Sequence, residues 1–272
     1  MDGCAERIFA ANRAVGRVAL DVKSLAGATR RARVQEEGAL RVRCPRTPGY
    51  ELEAVIVNTA GGMAGGDRFG VEIEVGHAAR LVVTTAAAEK VYRTNGPETS
   101  VNLTMSVAGG GELAWLPQET ILFDRSRLRR TIDVDLGADA RLLLAESIVF
   151  GRTGMGEQVV EGSLFDRWRI RRAGVLIYAE TTRLDGPIAR RLAGAAVAKG
   201  GRAAANILVS PGGDATMMAV RALDVRGEVG ASAWNGIASV RMIAADGAAL
   251  RHDMLAVLTT LRRAALPRLW LN

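Results

Sequence analysis

Histidine and cysteine are nearly absent from this chain of 272 residues: His77 and His252 are its imidazoles, and Cys4 and Cys44 its thiols. Two cysteines, one close to the N-terminus, support no disulfide framework, and a reducing, cytoplasmic setting fits. Lysine is reduced to Lys23, Lys90 and Lys199, so arginine carries nearly all the basicity behind the formal charge of +7. Aromatic residues make up 4%, which leaves the core to Ala, Val, Leu and Ile. No aromatics interleave with the densest arginine runs, at 30–43 and 125–130, and no nucleic-acid recognition motif accompanies them. A solvated face or an acidic protein partner suits this charge better than nucleic acid. No apolar run approaches eighteen residues, so no membrane span is expected. The charged first residues lack an apolar h-region, so no signal peptide is expected either.

The same scarcities bear on chemistry. A serine triad needs a histidine beside a strained nucleophile, and no Gly-x-Ser-x-Gly elbow exists. His77 falls in a turn and His252 off the apolar stripe of its helix, which places both at the surface. A phosphate loop ends in Gly-Lys-Ser/Thr, whereas the glycine run here ends Gly66-Asp67-Arg68. A dinucleotide fingerprint runs from strand through glycines into a helix, and here the glycines run into a strand. Strong sites for a late first-row transition-metal ion favour imidazole or thiolate. Carboxylates, carbonyls and water would hold that ion weakly and exchange it fast, so no tightly bound cofactor is expected.

What is present is β patterning. The stretch 60–94 opens on Gly61-Gly62 and Gly65-Gly66, then Asp67. Val71, Ile73 and Val75 alternate with Glu72 and Glu74, the period of a half-buried strand. After a turn at Gly76 and His77, residues 80–85 read as a second, more buried strand. Glycine pairs of this kind either shape a tight turn or let the backbone line a narrow passage. The segments VEIEVGHAARLVVTT (71–85), LTMSVAGGGELAWLP (103–117) and IDVDLGADARLLLAE (132–146) then repeat one plan: alternating strand, glycine turn, apolar strand. Val75, Val107 and Leu136 take equivalent places about thirty residues apart, the mark of stacked supersecondary units.

Around this repeat, residues 13–28 read as a strand pair, and 39–43 and 52–58 as strands parted by a turn at 45–49. Further strands are expected at 162–180, 203–210, 216–223 and 238–244. Helical spacing is confined to 187–198, entered through Pro187, and 248–264, capped by Asp246 and striped by Leu250, Met254, Val257 or Leu258, and Leu261. The expected architecture is a mostly-β single domain, 1–272, of stacked strands with two α-helices. Few lysines guard its strand edges.

GGMAGGDRFGVEIEVG followed by TTAAAEKVYRT strongly resembles the signature of the urease accessory protein UreD (UreH) family. Further matches are Leu116-Pro-Gln-Glu-Thr-Ile, Glu146 with Gly151-Arg152 and Gly156-Glu157, Gly230-Ala-Ser with Gly236, and Pro267-Arg-Leu-Trp270. They cover nearly the whole chain in order. Ala86 departs from the usual glutamine, and Asn58-Thr59-Ala60 from a proline-rich lead-in. The resemblance implies a β-helix-like stack carrying two helices and a non-enzymatic scaffold in urease maturation. Its implied partners are the urease structural subunits, a UreF-type adaptor and a UreG-type GTPase. Nickel would be in transit, through an internal polar tunnel. Asp67, within a family motif, Glu119 in Pro-Gln-Glu-Thr, Glu146 before Ser147 and Glu180, at an expected strand end, are the candidate acids for that path. Gly61, Gly62, Gly65, Gly66, Tyr92, Arg93, Gln118 and Glu119 form the motif framework. On the residues alone, an arginine-rich nucleic-acid-binding β protein and a β-helix carbohydrate enzyme using paired acids stay open. A pull-down against urease subunits separates the three.

Overall fold

Apolar residues at every second position can bury only one face of a strand, and that rule organises the architecture. The computed structural model describes residues 12–47 and 49–271, so Cys4 lies outside the described residues. In chain order the strands are β1 (Val15–Leu25), β2 (Ala28–Gly38), β3 (Leu40–Arg43), β4 (Leu52–Asn58), β5 (Arg68–Val75), β6 (Arg80–Thr85), β7 (Glu89–Val91), β8 (Thr99–Val107) and β9 (Glu112–Trp115). There follow β10 (Thr120–Leu122), β11 (Arg127–Leu136), β12 (Arg141–Phe150), β13 (Gly162–Arg172), β14 (Val175–Gly186), β15 (Ala203–Ser210), β16 (Glu228–Trp234) and β17 (Ile237–Ala244). The helices are α1 (Ile188–Leu192), α2 (Asp214–Arg221) and α3 (Gly247–Leu261).

These strands form two sheets. The first runs β14-β13-β11-β8-β5-β1-β2, and the second β16-β17-β15-β12-β9-β6-β4-β3. Their centres are parallel and their outer strands antiparallel, which makes a β-solenoid of about four turns. The thirty-residue repeat is its coil. Val75, Val107 and Leu136 are register partners across β5, β8 and β11, and Leu81, Leu113 and Leu142 across β6, β9 and β12. Each unit turns the same way: Ala79, Gly111 and Ala140 donate their N–H to Gly76, Ala108 and Gly137. The two arms of a unit do not pair as a hairpin. They enter opposite sheets, so each arm pairs with its copies above and below.

The covering of the sheets explains their different patterns. β5, β8 and β11 alternate buried and exposed residues, because the outer face of their sheet meets solvent. β12 is buried almost throughout, because the second sheet packs on both faces. Leu142 and Leu144 point into the core between the sheets. Leu143, Ala145 and Val149 face a second core with Leu250, Met254, Val257 and Leu258 of α3. Asp246 caps α3 as expected, accepting from Ala249 N–H at 2.9 Å.

Several expectations are corrected. Residues 13–28 are not a strand pair: β1 is one long strand whose hairpin partner is β2, with Ala26 and Gly27 at positive φ between them. Almost every residue of β2 is exposed, so no alternation announced it. The strand expected at 216–223 is α2, where Ala215, Met217 and Met218 favour helix over strand and Val220 is the buried contact. The helices therefore number three among the described residues. The first ends at Leu192 and gives way to turns closed by Gly194 and Gly200. Glu180 lies inside β14, not at a strand end.

Candidate functional site

Charged residues interrupt the inward faces of β11, β12 and β13, and the fold brings these three together. Arg130 of β11 donates from Nη1 to Glu146 of β12, and from Nε and Nη2 to both oxygens of Asp166 of β13, the Nε bond measuring 3.1 Å. Trp115 Nε1 donates to Glu146 at 2.8 Å, and Trp168 Nε1 to Asp166 at 3.1 Å. The triad is buried between the sheets. Burial pushes the Glu146 carboxyl up to about 6, against the pull of the Arg130 guanidinium and with a further push from Asp166. Burial opposes the Arg130 charge too, but the two carboxylates outweigh it and raise its pKa. Two carboxylates share one guanidinium, so the cluster carries surplus negative charge whenever Glu146 is ionised.

Beside the triad is a cavity of about 70 Å³, room for a few waters. Arg130 and Glu146 form one wall, and Asn58, Glu89, Gln118 and Thr120 supply further polar lining among apolar residues such as Met63 and Leu128. Glu89 accepts from Asn58 Nδ2 at 2.9 Å, and burial raises its pKa.

From Glu146 a row of polar residues crosses to the edge of the sheets. Asn206 of β15 stands opposite Glu146 in register, and Arg241 of β17 opposite Asn206. Glu180, on the terminal strand of the other sheet, accepts from Asn206 Nδ2 at 3.1 Å, pairs with Arg241 at 3.0 Å and accepts from the Tyr178 hydroxyl. Burial and the Glu180 carboxylate raise the Tyr178 pKa. The Glu180 side chain is 11% exposed, so the row runs from an interior acid to a largely buried one at the edge of the sheets.

The motif residues fall elsewhere. Asp67 is buried, and its oxygens accept from Ala14 N–H at 2.8 Å and Ala64 N–H at 2.7 Å. It clamps the glycine loop that delivers Met63 to the cavity. A Cβ on Gly62 would lie 2.5 Å from the Tyr92 ring, and one on Gly65 2.1 Å from Thr94 Oγ1. These glycines permit close packing of the loop, and neither they nor Gly61 and Gly66 line the cavity. Tyr92 donates from its hydroxyl to Gly61 O at 2.8 Å, while Arg93 bridges to Ser126 through its backbone and is exposed. Gln118 accepts from Arg251 Nη1 at 2.8 Å, and Glu119 pairs with the same arginine at 3.6 Å. Of the four candidate acids, Glu146 faces Asn206 in register and Glu180 accepts from it, while Asp67 and Glu119 lie off this row.

Arg130, Asp166, Glu89 and Asn206 escaped the reading of the sequence. A signal existed for the first two: each sits at an inward position of an alternating strand, Arg130 between Leu128 and Ile132, Asp166 between Leu164 and Trp168. A charge on an apolar face is stable only with a buried partner. Among the described residues no three His, Cys, Asp or Glu side chains are grouped to hold a metal ion. Because the sequence holds only two histidines and two cysteines, the isolated protein is expected to bind nickel no tighter than about micromolar, through oxygen ligands. Calorimetry with X-ray absorption checks this; nanomolar affinity or thiolate ligation would contradict it.

A family model described as UreD urease accessory protein matches residues 14–271. "Urease accessory protein UreD" of Rhodopseudomonas palustris strain HaA2 is 55% identical over 268 residues, 97% of this chain and 96% of that protein. The protein of the same name from Bradyrhizobium diazoefficiens USDA 110 is 54% identical over 267 residues, 97% of this chain and 96% of its own. No helix among the described residues is long and apolar enough to cross a membrane. With nearly its whole length matched in order, this chain belongs to the UreD family of urease accessory proteins.

Proposed function

We propose that this protein is a non-enzymatic scaffold of urease maturation that binds apo-urease together with UreF-type and UreG-type accessory proteins and passes nickel through its interior. The observation that carries the reading is the polar row from the cavity at Glu146, through Asn206, to Glu180 at the sheet edge. Surplus carboxylate favours a divalent cation there, and the lack of a preformed ligand set favours release. Asp67 serves the route indirectly, by holding the loop over the cavity.

Urease activation in cells co-expressing the other accessory proteins tests it. Glu180→Ala and Glu146→Gln are each expected to lower activation about tenfold, the effect of about 1.4 kcal/mol on a barrier, while the assembled complex still co-purifies. Undiminished activation in both variants would remove the route.

The pH dependence has a definite sign. Glu146 takes up a proton as pH falls through about 6, and the triad on the cavity wall loses its surplus negative charge. With purified components, nickel transfer is expected to fall below that pH in the wild type. Glu146→Gln should flatten that part of the profile. A profile of unchanged shape in the variant would exclude Glu146 as the titrating group.

A further inference from the structure

Every residue of β2 from Arg30 to Gly38 is exposed, Val34 included at 37%, so the strand buries almost nothing in its own chain. It ends the first sheet, and β1 is its one strand partner among the described residues. Ala39 N–H donates to Val15 O at 2.9 Å. By alternation Glu37, Gln35 and Arg33 turn their backbone groups toward β1, and Glu36 and Val34 turn theirs away. Ala32 is the extra residue of a bulge. On its far side Thr29 N–H points away from β1, to Tyr50 O at 3.0 Å, so Arg31, two residues on, faces outward too. The far edge of β2 thus presents an unpaired ladder at Arg31, Val34 and Glu36, with no proline to block it.

Charges and bulges commonly guard such an edge, and β2 has both. The order of the charges decides whether they repel a second copy. Arg30, Arg31 and Arg33 fill the first half of the strand, Glu36 and Glu37 the second. Laid antiparallel about a two-fold axis at Val34, with Ala32 left out on each strand, the edge meets itself in register. Val34 then faces Val34 of the copy, Gln35 faces Arg33, Glu36 faces Arg31, and Glu37 faces Arg30. Every pair shares one face of the sheet, and outward-pointing backbone meets outward-pointing backbone at Val34 and at Glu36 with Arg31. Arg33 and Glu36 are already engaged, the first with Asp21, the second with Arg43 and the Val42 N–H. Arg30 and Glu37 are the charges left over. Lys23 is the register neighbour of Arg30, and Arg17 stands opposite Glu37 without forming an ion pair. Each therefore gains an opposite charge from the copy.

We propose that β2 joins two copies of this chain edge to edge, as an isologous two-fold pair that extends the first sheet from one protomer into the next. Glu180 lies on β14, at the opposite end of that sheet, so the pairing leaves the end of the polar row open. It stands on its own observations and does not depend on the route.

Sedimentation velocity of the full chain over about 1–100 µM tests it, a range suited to a small interface. The wild type is expected to dimerise reversibly. Arg30→Glu and Glu37→Arg each set like charges across the edge, twice per dimer by symmetry, and each should weaken association about tenfold or more. Arg30→Glu/Glu37→Arg exchanges the two charges and should restore it to within about threefold. Both positions are exposed, so far-UV circular dichroism should hold in all three variants. A cross-link reads the register. With Cys4→Ser and Cys44→Ser as background, Val34→Cys should oxidise to a covalent dimer, because residues facing each other in such a pair have Cα atoms about 5.5 Å apart, within disulfide range. Glu37→Cys, facing Arg30 of the copy, should not. A monomer at every concentration, an exchanged variant no better than the single ones, or equal cross-linking at the two positions would each overturn the inference.

Discussion

Replacing Arg130 with methionine is expected to destabilise the protein by about 3–5 kcal/mol, or to prevent folding altogether. The guanidinium is 4% exposed and is the charged partner of both Glu146 and Asp166. Without it two carboxylates face each other between the sheets, with Trp115 and Trp168 N–H groups as their remaining donors. Whole domains are stable by only about 5–15 kcal/mol, so the loss is a large share of the total. Lysine should rescue poorly, because a point charge cannot make the forked contact with Asp166 while reaching Glu146. Neutralising the acids should rescue well: in Arg130→Met/Glu146→Gln/Asp166→Asn no charge remains to be buried. Urea unfolding checks the series. An Arg130→Met midpoint equal to the wild type, or a triple variant no better than the single one, would contradict the account.

Trp270→Ala is expected to lower stability by about 3–5 kcal/mol, the range for emptying a buried aromatic site. Its ring is 1% exposed and belongs to the core between the second sheet and α3. Trp270 Nε1 donates to Leu116 O at 2.9 Å, so the substitution also leaves that carbonyl without this donor. Arg251 of α3 lies over the ring at 5.2 Å and donates to the Leu269 and Trp270 carbonyls as well as to Gln118. The C-terminal tail thus ties α3 to the turn at 116–119 that supplies Pro117 and Gln118 to the cavity wall. A fall in melting temperature of roughly 10 °C follows for a chain of this size. Arg251→Met, which keeps the ring buried, should lose far less. Equal losses in the two variants would place the energy in the polar contacts instead of the aromatic.

Much of the architecture was legible because period-two alternation and a thirty-residue repeat are local facts. Val75, Val107 and Leu136 could be aligned from spacing alone, and they pair in register. The stripe of α3 was equally legible, since Leu250, Met254, Val257 and Leu258 recur at helical intervals. β2 was illegible: an edge strand exposed along nearly its whole length has no apolar face to display. α2 was misread as a strand because an eight-residue segment with one buried residue lacks enough turns to establish a period. In the site, Glu146 stood out by resemblance and Glu180 as an acid on an expected strand. Asp67 stood out for a motif whose role in the structure is to accept two backbone N–H groups.

Composition, alternation and the thirty-residue spacing determined by themselves a mostly-β chain of repeated strand units with one wet sheet face, and the resemblance supplied the β-helix-like stack. Tertiary structure alone decided that the two arms of each repeat enter opposite sheets, and that Arg130, Glu146 and Asp166 converge between them. The physical reason is range. Alternation and turn chemistry act between residues a few positions apart. Arg130 pairs with acids 16 and 36 positions away: Glu146 across the core on the other arm of its own unit and Asp166 on the adjacent strand β13, so each buried charge is stable only because the closed coil brings its counter-charge to it.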